Sequence, residues 1–224
     1  MKLFYSPGAC SLAPHIVARE LRLDVEFIAV PIAESANSKP EYLAINPRAR
    51  VPALQVGEQV YTEAPALLSF LASQIPGSGL LPPLGSTDYA RCMEWLCWFS
   101  SSLHIAYARL WRPERFLPAG SDSAAFTAHA KKQIEQMNDE VETRLERGWL
   151  VRSGCSVADI YALVFYRWGN RIGLPMRERW PRWRALVQRL LERPAVRAAI
   201  IHEGIGFDHF DPPDLVTERY AVTV

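Results

Sequence analysis

The stretch Ile75-Pro76-Gly77-Ser78-Gly79, followed closely by Pro82-Pro83, divides this chain into two halves of different periodicity. Proline lacks a backbone N–H and glycine is conformationally loose, so neither helix nor strand runs through such a segment. Ahead of it, short β-branched and aromatic runs alternate with helix-like ones. Residues 1–5 read as a strand, 11–21 as a helix and 25–30 as a second strand. A polar stretch over 33–39 leads to a short helix or turn near 40–45. Strands follow at 51–56 and 59–62, turned by Gly57-Glu58, and a helix over 64–74 closes the unit. The order is βαβαββα, with parallel pairing expected for the first two strands. Beyond the break, strand signals nearly vanish. Ser86-Thr87-Asp88 caps a long helix to about residue 110, a second helix spans 123–147, and shorter ones follow at 157–172, 181–192 and from 194. The expected fold class is α/β plus all-α: an N-terminal βαβαββα domain over 1–76, a linker over 77–86, a helical bundle over 87–204 and an extension over 205–224.

The 25 Lys and Arg balance 24 Asp and Glu, which argues against nucleic acid or an anionic membrane as the main partner. No apolar run approaches the length of a membrane span. The opening residues enter a strand without the basic, apolar and small-residue regions of a leader, so a cytoplasmic protein is expected. The cysteines, Cys10, Cys92, Cys97 and Cys155, form no CxxC pair and read as free thiols. Ala13 stands where a resolving partner for Cys10 would be, so any catalytic disulfide of Cys10 is expected with a small thiol. The five histidines share no metal-ligand spacing with these cysteines, and no metal site is expected.

Within Tyr5-Ser6-Pro7-Gly8-Ala9-Cys10-Ser11-Leu12-Ala13-Pro14-His15, Cys10 follows a Pro-Gly turn at the start of a helix. Unpaired N–H groups and the positive end of the helix dipole favour thiolate over thiol there, which predicts a reactive Cys10. A small buried cysteine under the strand is the other reading. Ser156 and Asp159 have the S-x-x-D spacing of a helix capping box, a structural role. On the first bundle helix, Cys97, Ser100 or Ser101, and His104 fall on one face by 3.6 periodicity.

Four motifs, in this order, resemble the soluble glutathione transferases and in particular their bacterial beta class. They are Lys2-Leu3-Phe4-Tyr5-Ser6-Pro7-Gly8-Ala9-Cys10-Ser11-Leu12, Asn46-Pro47-Arg48 with Val51-Pro52-Ala53-Leu54, Thr62-Glu63-Ala64, and Ser156-Val157-Ala158-Asp159. The resemblance covers residues 1–204 and implies a thioredoxin-like first domain, glutathione as co-substrate, a small apolar electrophile and a homodimer. It implies a cis Pro52 that exposes the main chain of Val51 to the cysteinyl unit of glutathione, and Glu63 at a helix start for the γ-glutamyl end. Cys10 would form a mixed disulfide with glutathione or hold its thiolate by a hydrogen bond, with Ser11 as fallback donor and His104 facing Cys10 across the domain cleft. A thiol-transferase or peroxidase side activity would follow from a reactive Cys10.

At four positions of the implied pocket the chain departs from the beta class. Ser35 and Ile105 stand where lysines are usual, Ala64 where a serine is, and Cys97 where an asparagine reaches the neighbouring subunit's ligand. Arg48 and Arg50 offer replacement positive charge. These departures keep open an alternative, a non-catalytic transferase-like binding protein. Tyr107 and Trp111 are expected to line the electrophile site, Trp95, Trp98 and Phe99 to supply apolar surface for a dimer, and the tail to pack back on the protein.

Overall fold

The computed structural model describes residues 1–211. The first domain holds β1 (Lys2–Tyr5), α1 (Leu12–Glu20), β2 (Glu26–Ala29), α2 (Pro40–Leu43), β3 (Ala53–Val56), β4 (Gln59–Thr62) and α3 (Ala64–Ser73). The sheet order is β2-β1-β3-β4: β2 lies parallel to β1, while β3 and β4 are antiparallel to their neighbours. The parallel pair needs a crossover, and α1 is that crossover. It covers the sheet so closely that Leu12, Ala13, Ile16, Val17 and Ala18 are wholly buried.

The second domain contains α4 (Thr87–Trp98), α5 (His104–Trp111), α6 (Ala124–Arg144), α7 (Val157–Arg171), α8 (Met176–Arg179), α9 (Pro181–Leu191) and α10 (Pro194–His202). The uninterrupted helix expected up to residue 110 does not form. Phe99–Leu103 is a π-helical turn between α4 and α5. Its cause is local: the hydroxyls of Ser100 and Ser101 both donate to the Cys97 carbonyl, at 2.9 and 2.8 Å, and compete with the regular ladder. The wider turn also cancels the shared face of Cys97 and His104, because 3.6 periodicity does not carry across it. The short α8 was missing from the sequence reading.

Nearly all of α7 is buried, from Val157 to Gly169, which makes it the axis of the bundle. Its start is fixed by Asp159, whose carboxylate accepts from the Ser156 N–H and hydroxyl at 2.8 Å each and from the Leu150 N–H at 2.9 Å. Of the aromatic residues expected as surplus for a dimer, Trp95 and Phe99 belong to this core instead, while Trp98 is partly exposed. Phe99 stacks on Phe165 of α7 with centroids 5.1 Å apart and is fully buried, and Trp95 is nearly so.

The two domains meet at Gly8. Its N–H donates to Glu203 Oε2 at 2.8 Å, and its carbonyl accepts from Trp168 Nε1 at 2.9 Å and Arg167 Nη1 at 3.1 Å. Gly8 has φ +66, and a Cβ there would stand 2.5 Å from the Arg167 guanidinium, so both conformation and space require glycine. Glu203 Oε1 accepts from His15 Nδ1 at 2.9 Å, and His15 Nε2 accepts from Arg19 Nε at 2.9 Å, which places the imidazole proton on Nδ1. Burial, reinforced by the Arg19 charge, holds His15 down at about 3. Burial pushes Glu203 up to about 8, against the Gly8 N–H and Arg167.

The extension follows directly. Phe210 is fully buried, Asn170 Nδ2 donates to the His209 carbonyl at 2.9 Å, and Tyr166 donates its hydroxyl to Asp211 at 2.7 Å. The expectation for the remaining tail concerns 212–224, outside the described residues. Among the described residues no helix is long and apolar enough to cross a membrane, and no cluster of metal-ligating side chains occurs.

Two stability predictions follow from these contacts. Asp159→Ala leaves buried N–H groups without partners, and urea unfolding should show a loss of about 2–6 kcal/mol; a loss below half of one kcal/mol would contradict the cap. For His15 the sign is set by a depressed folded pKa. The unfolded chain takes a proton at about 6.5 that the folded chain refuses until about 3, so His15 contributes stability that is lost as pH falls through that window. Replacing it, His15→Asn, should lower the slope of unfolding free energy against pH between those limits by up to about 1.4 kcal/mol per unit. Parallel profiles for the two proteins would refute the assignment.

Candidate active site

Cys10 lies in the turn that follows Gly8, ahead of Ser11, the N-cap of α1. Its thiol donates to the carbonyl of Val51 at 3.5 Å. Val51–Pro52 is a cis peptide. Both residues are buried, and the loop before them is pinned by Tyr42 and Asn46, which donate to the Arg50 carbonyl at 2.6 and 2.7 Å. The thiol therefore sits on the backbone feature that the resemblance assigns to glutathione.

Its protonation state corrects the sequence reading. Burial pushes the Cys10 thiol up to about 12; its own N–H and that of Ser11 pull it down, and the charges of Glu63 and Glu203 raise it further. A helix terminus contributes only about 0.3–1 kcal/mol, less than one pKa unit, and cannot offset removal of the thiolate from water. Without a ligand Cys10 is a thiol. The local pattern carries the helix start but not the depth at which the loop is covered by α7 and α10.

Ser11 is fully buried, and its hydroxyl is engaged with Ser6: it donates to the Ser6 carbonyl at 3.2 Å and accepts the Ser6 N–H at 3.1 Å. It clasps the loop and faces away from a donor role toward a ligand. Glu63 occupies the N-cap of α3 with φ 73 and ψ 115, a left-handed backbone that a non-glycine residue adopts at a cost of about 1–3 kcal/mol. Its carboxylate is exposed and lies 3.8 Å from Arg48, which also donates to the Thr62 hydroxyl at 2.8 Å. Ala64 is buried as the first residue of α3. Ser35 is exposed in a left-handed turn, and Cys97 is exposed on α4.

His104 packs on α7, its ring edge-on to Trp168 at 5.3 Å and to Phe165 at 6.4 Å. Burial holds it down at about 4, helped by the charges of Arg50 and Arg112, so it is neutral at pH 7. Trp111 stands one helical repeat further along α5, 5.0 Å from Trp168 and substantially exposed. Tyr107 does not line the cleft: it is fully buried and donates its hydroxyl to the Phe165 carbonyl at 3.2 Å. Sequence reasoning missed Trp168, Arg167 and Glu203, which hold the Cys10 loop from the other domain. No local pattern marks them, because their partners are more than a hundred residues away.

A thiol on a cis-proline loop of a four-stranded βαβαββα unit, closed by a helical bundle, defines the class of thioredoxin-like two-domain proteins. Residues 8–74 match the family model for the glutathione S-transferase N-terminal domain, and 103–194 match that for the C-terminal domain. Glutathione S-transferase GstA of Escherichia coli O157:H7 is 32% identical over 210 residues, 92% of this chain and 100% of its own. A bacterial beta-class transferase from Sphingomonas chungbukensis superposes with a TM-score of 0.80 at 33% identity, over 92% of this chain and 100% of its own. A transferase homologue from Sulfitobacter, with bound glutathione, gives 0.84 at 30% identity, over 92% and 98%. The chain belongs to the glutathione S-transferase family.

The burial of Cys10 reverses the expected order of thiol reactivity. With iodoacetamide at pH 7 and no ligand, exposed Cys97 should label first and Cys10 slowly, its rate climbing about tenfold per pH unit through the alkaline range. Peptide mass spectrometry reads the order, and fastest labelling at Cys10 would restore the thiolate.

Proposed function

We propose that the protein conjugates glutathione to an electrophile, in the manner of bacterial beta-class transferases. The observation that carries this reading is the contact between the Cys10 thiol and the Val51 carbonyl at the cis Val51–Pro52 bond. Glutathione laid along Val51 takes that carbonyl with its cysteinyl N–H, as an added strand does. The Cys10 S–H, released from Val51 and still protonated, then donates to the glutathione sulfur. Glu63 receives the γ-glutamyl ammonium, and the free N–H groups at the start of α3 receive its carboxylate. His104, neutral and weakly basic, accepts a hydrogen bond from the thiol as its proton leaves for solvent. The sulfur attacks the electrophilic carbon, and the leaving group departs with the bonding pair. A protonated Cys10 supports conjugation better than the thiol-transferase and peroxidase side activities, which begin with its thiolate.

The protein works as a homodimer. Tyr61 of β4, about half exposed, stacks on Phe70 of α3 at 6.1 Å, an aromatic pair on the outer side of the first domain suited to a partner's surface. Four free thiols fit a reducing cytoplasm.

Steady-state conjugation of 1-chloro-2,4-dinitrobenzene tests the role of Cys10. Losing a hydrogen bond to the glutathione sulfur should cost Cys10→Ala about 10–100-fold in kcat/KM, while Cys10→Ser, which keeps a donor, should stay within about tenfold of wild type. A wild-type protein that neither binds glutathione nor forms product would leave a ligand-binding protein of the same fold.

A further inference from the structure

Trp168 reaches the Gly8 carbonyl through its indole N–H, so its ring stands beside the loop that carries Cys10. Trp111 and His104 extend that ring into an aromatic wall, and Trp111 is 42% exposed at its open end. Here α5 stops. Arg112 leaves the helix with φ −141 and ψ 56, and the chain turns through Pro113–Arg115. Arg112 is half-buried at the end of the wall, with Arg115 exposed next to it.

From the other domain, Arg50 presents an exposed side chain one residue before Val51, while its backbone is pinned by Tyr42 and Asn46. The charges of Arg50 and Arg112 both act on His104, and that of Arg50 also acts on Arg112. Burial and the charge of Arg115 work against Arg112, with Glu114 as the only acidic group that offsets them among the described residues. Several arginines elsewhere are engaged, among them Arg48 with Thr62 and Glu63, Arg109 with Gln133, Arg167 with Gly8, Arg179 with Glu135 and Asp139, and Arg193 with Glu20. No such bond or ion pair is made by the guanidinium groups of Arg50, Arg112 or Arg115 among the described residues.

Like charges gathered at the end of an aromatic surface, one of them half-buried, are relieved by an anion. We propose that Arg112, with Arg50 and Arg115 beside it, binds a carboxylate on the second substrate, so that the favoured electrophile is a flat aromatic or conjugated molecule bearing a carboxylate. The ring lies along Trp111 and Trp168, and the carboxylate takes the two parallel N–H donors of Arg112. The use of this site in turnover rests on the transferase reading; its anion preference does not. Glutathione has a glycyl carboxylate of its own, and Arg50 lies on the glutathione side, so the test must separate two carboxylates.

Calorimetric titration with two unreactive probes does so. These are 3,5-dinitrobenzoate and its methyl ester, identical in ring and differing in charge. The wild-type protein should bind the carboxylate about tenfold more tightly than the ester. Arg112→Gln should abolish that preference and leave ester and glutathione affinities unchanged, while Arg112→Lys, which keeps the charge, should restore part of it. Equal binding of the two probes by wild type would overturn the proposal. So would an Arg112→Gln protein that keeps its preference but loses glutathione, because the anion site would then belong to the glycyl carboxylate. Neither probe reacts, so a protein without conjugating activity would still give the preference, and the transferase reading would fail alone.

Discussion

The backbone of Gly8 is gripped by the opposite domain on both of its polar groups. Glu203 takes the N–H, while Arg167 and Trp168 take the carbonyl. A loop with Pro7 and Gly8 in it would otherwise sample many conformations, and the Cys10 thiol would wander with it. These contacts convert the loop into part of a rigid joint. They explain why an arginine is tolerated on the buried axis of the bundle, since it pairs with a carbonyl and lies over the Phe210 ring at 5.7 Å. They also bring His15 into the joint, so that one face of α1 supports the sheet and another supports the second domain.

Burial is what the joint imposes on the chemistry. The same covering that fixes Cys10 also removes it from water, and the dipole of a nine-residue helix is too weak to compensate. His104, a neutral imidazole, carries the charges of Arg50 and Arg112 around it in the same way. On the readings proposed above, such a site stabilises negative charge brought by ligands. In the proposed mechanism, chemistry begins with the bound co-substrate's sulfur.

The sequence made much of this legible wherever the determining contacts are local. The element order of the first domain, the helix at Leu12, the start of α3 and the cap at Asp159 each rest on patterns within a few residues. The π-helical turn at Phe99–Leu103 had a local sign in the run of serines, but hydroxyl back-bonding leaves no periodic mark. Burial of Phe99 depends on α7, which presents Tyr161 and Phe165 to it, and Trp95 packs on Phe99 in turn, so their apolar surface looked unclaimed in isolation. The site divided in the same way. Cys10, Val51, Pro52 and Glu63 lie on recognisable motifs, whereas Trp168, Arg167 and Glu203 become partners of Gly8 only when the domains dock.

Glu203 and Gly8 are separated by 195 residues. During synthesis the chain emerges in order, so the loop bearing the thiol is made early and waits for a hydrogen bond from the residue that ends α10. The first domain can form its sheet early, because β1 through β4 close within sixty-odd residues. The loop that bears Cys10 cannot settle until α7 has packed and α10 has ended. A nascent or truncated chain therefore holds a folded sheet beneath an unfinished site, and the thiol acquires its working geometry only when the segment after α10 docks on the first domain.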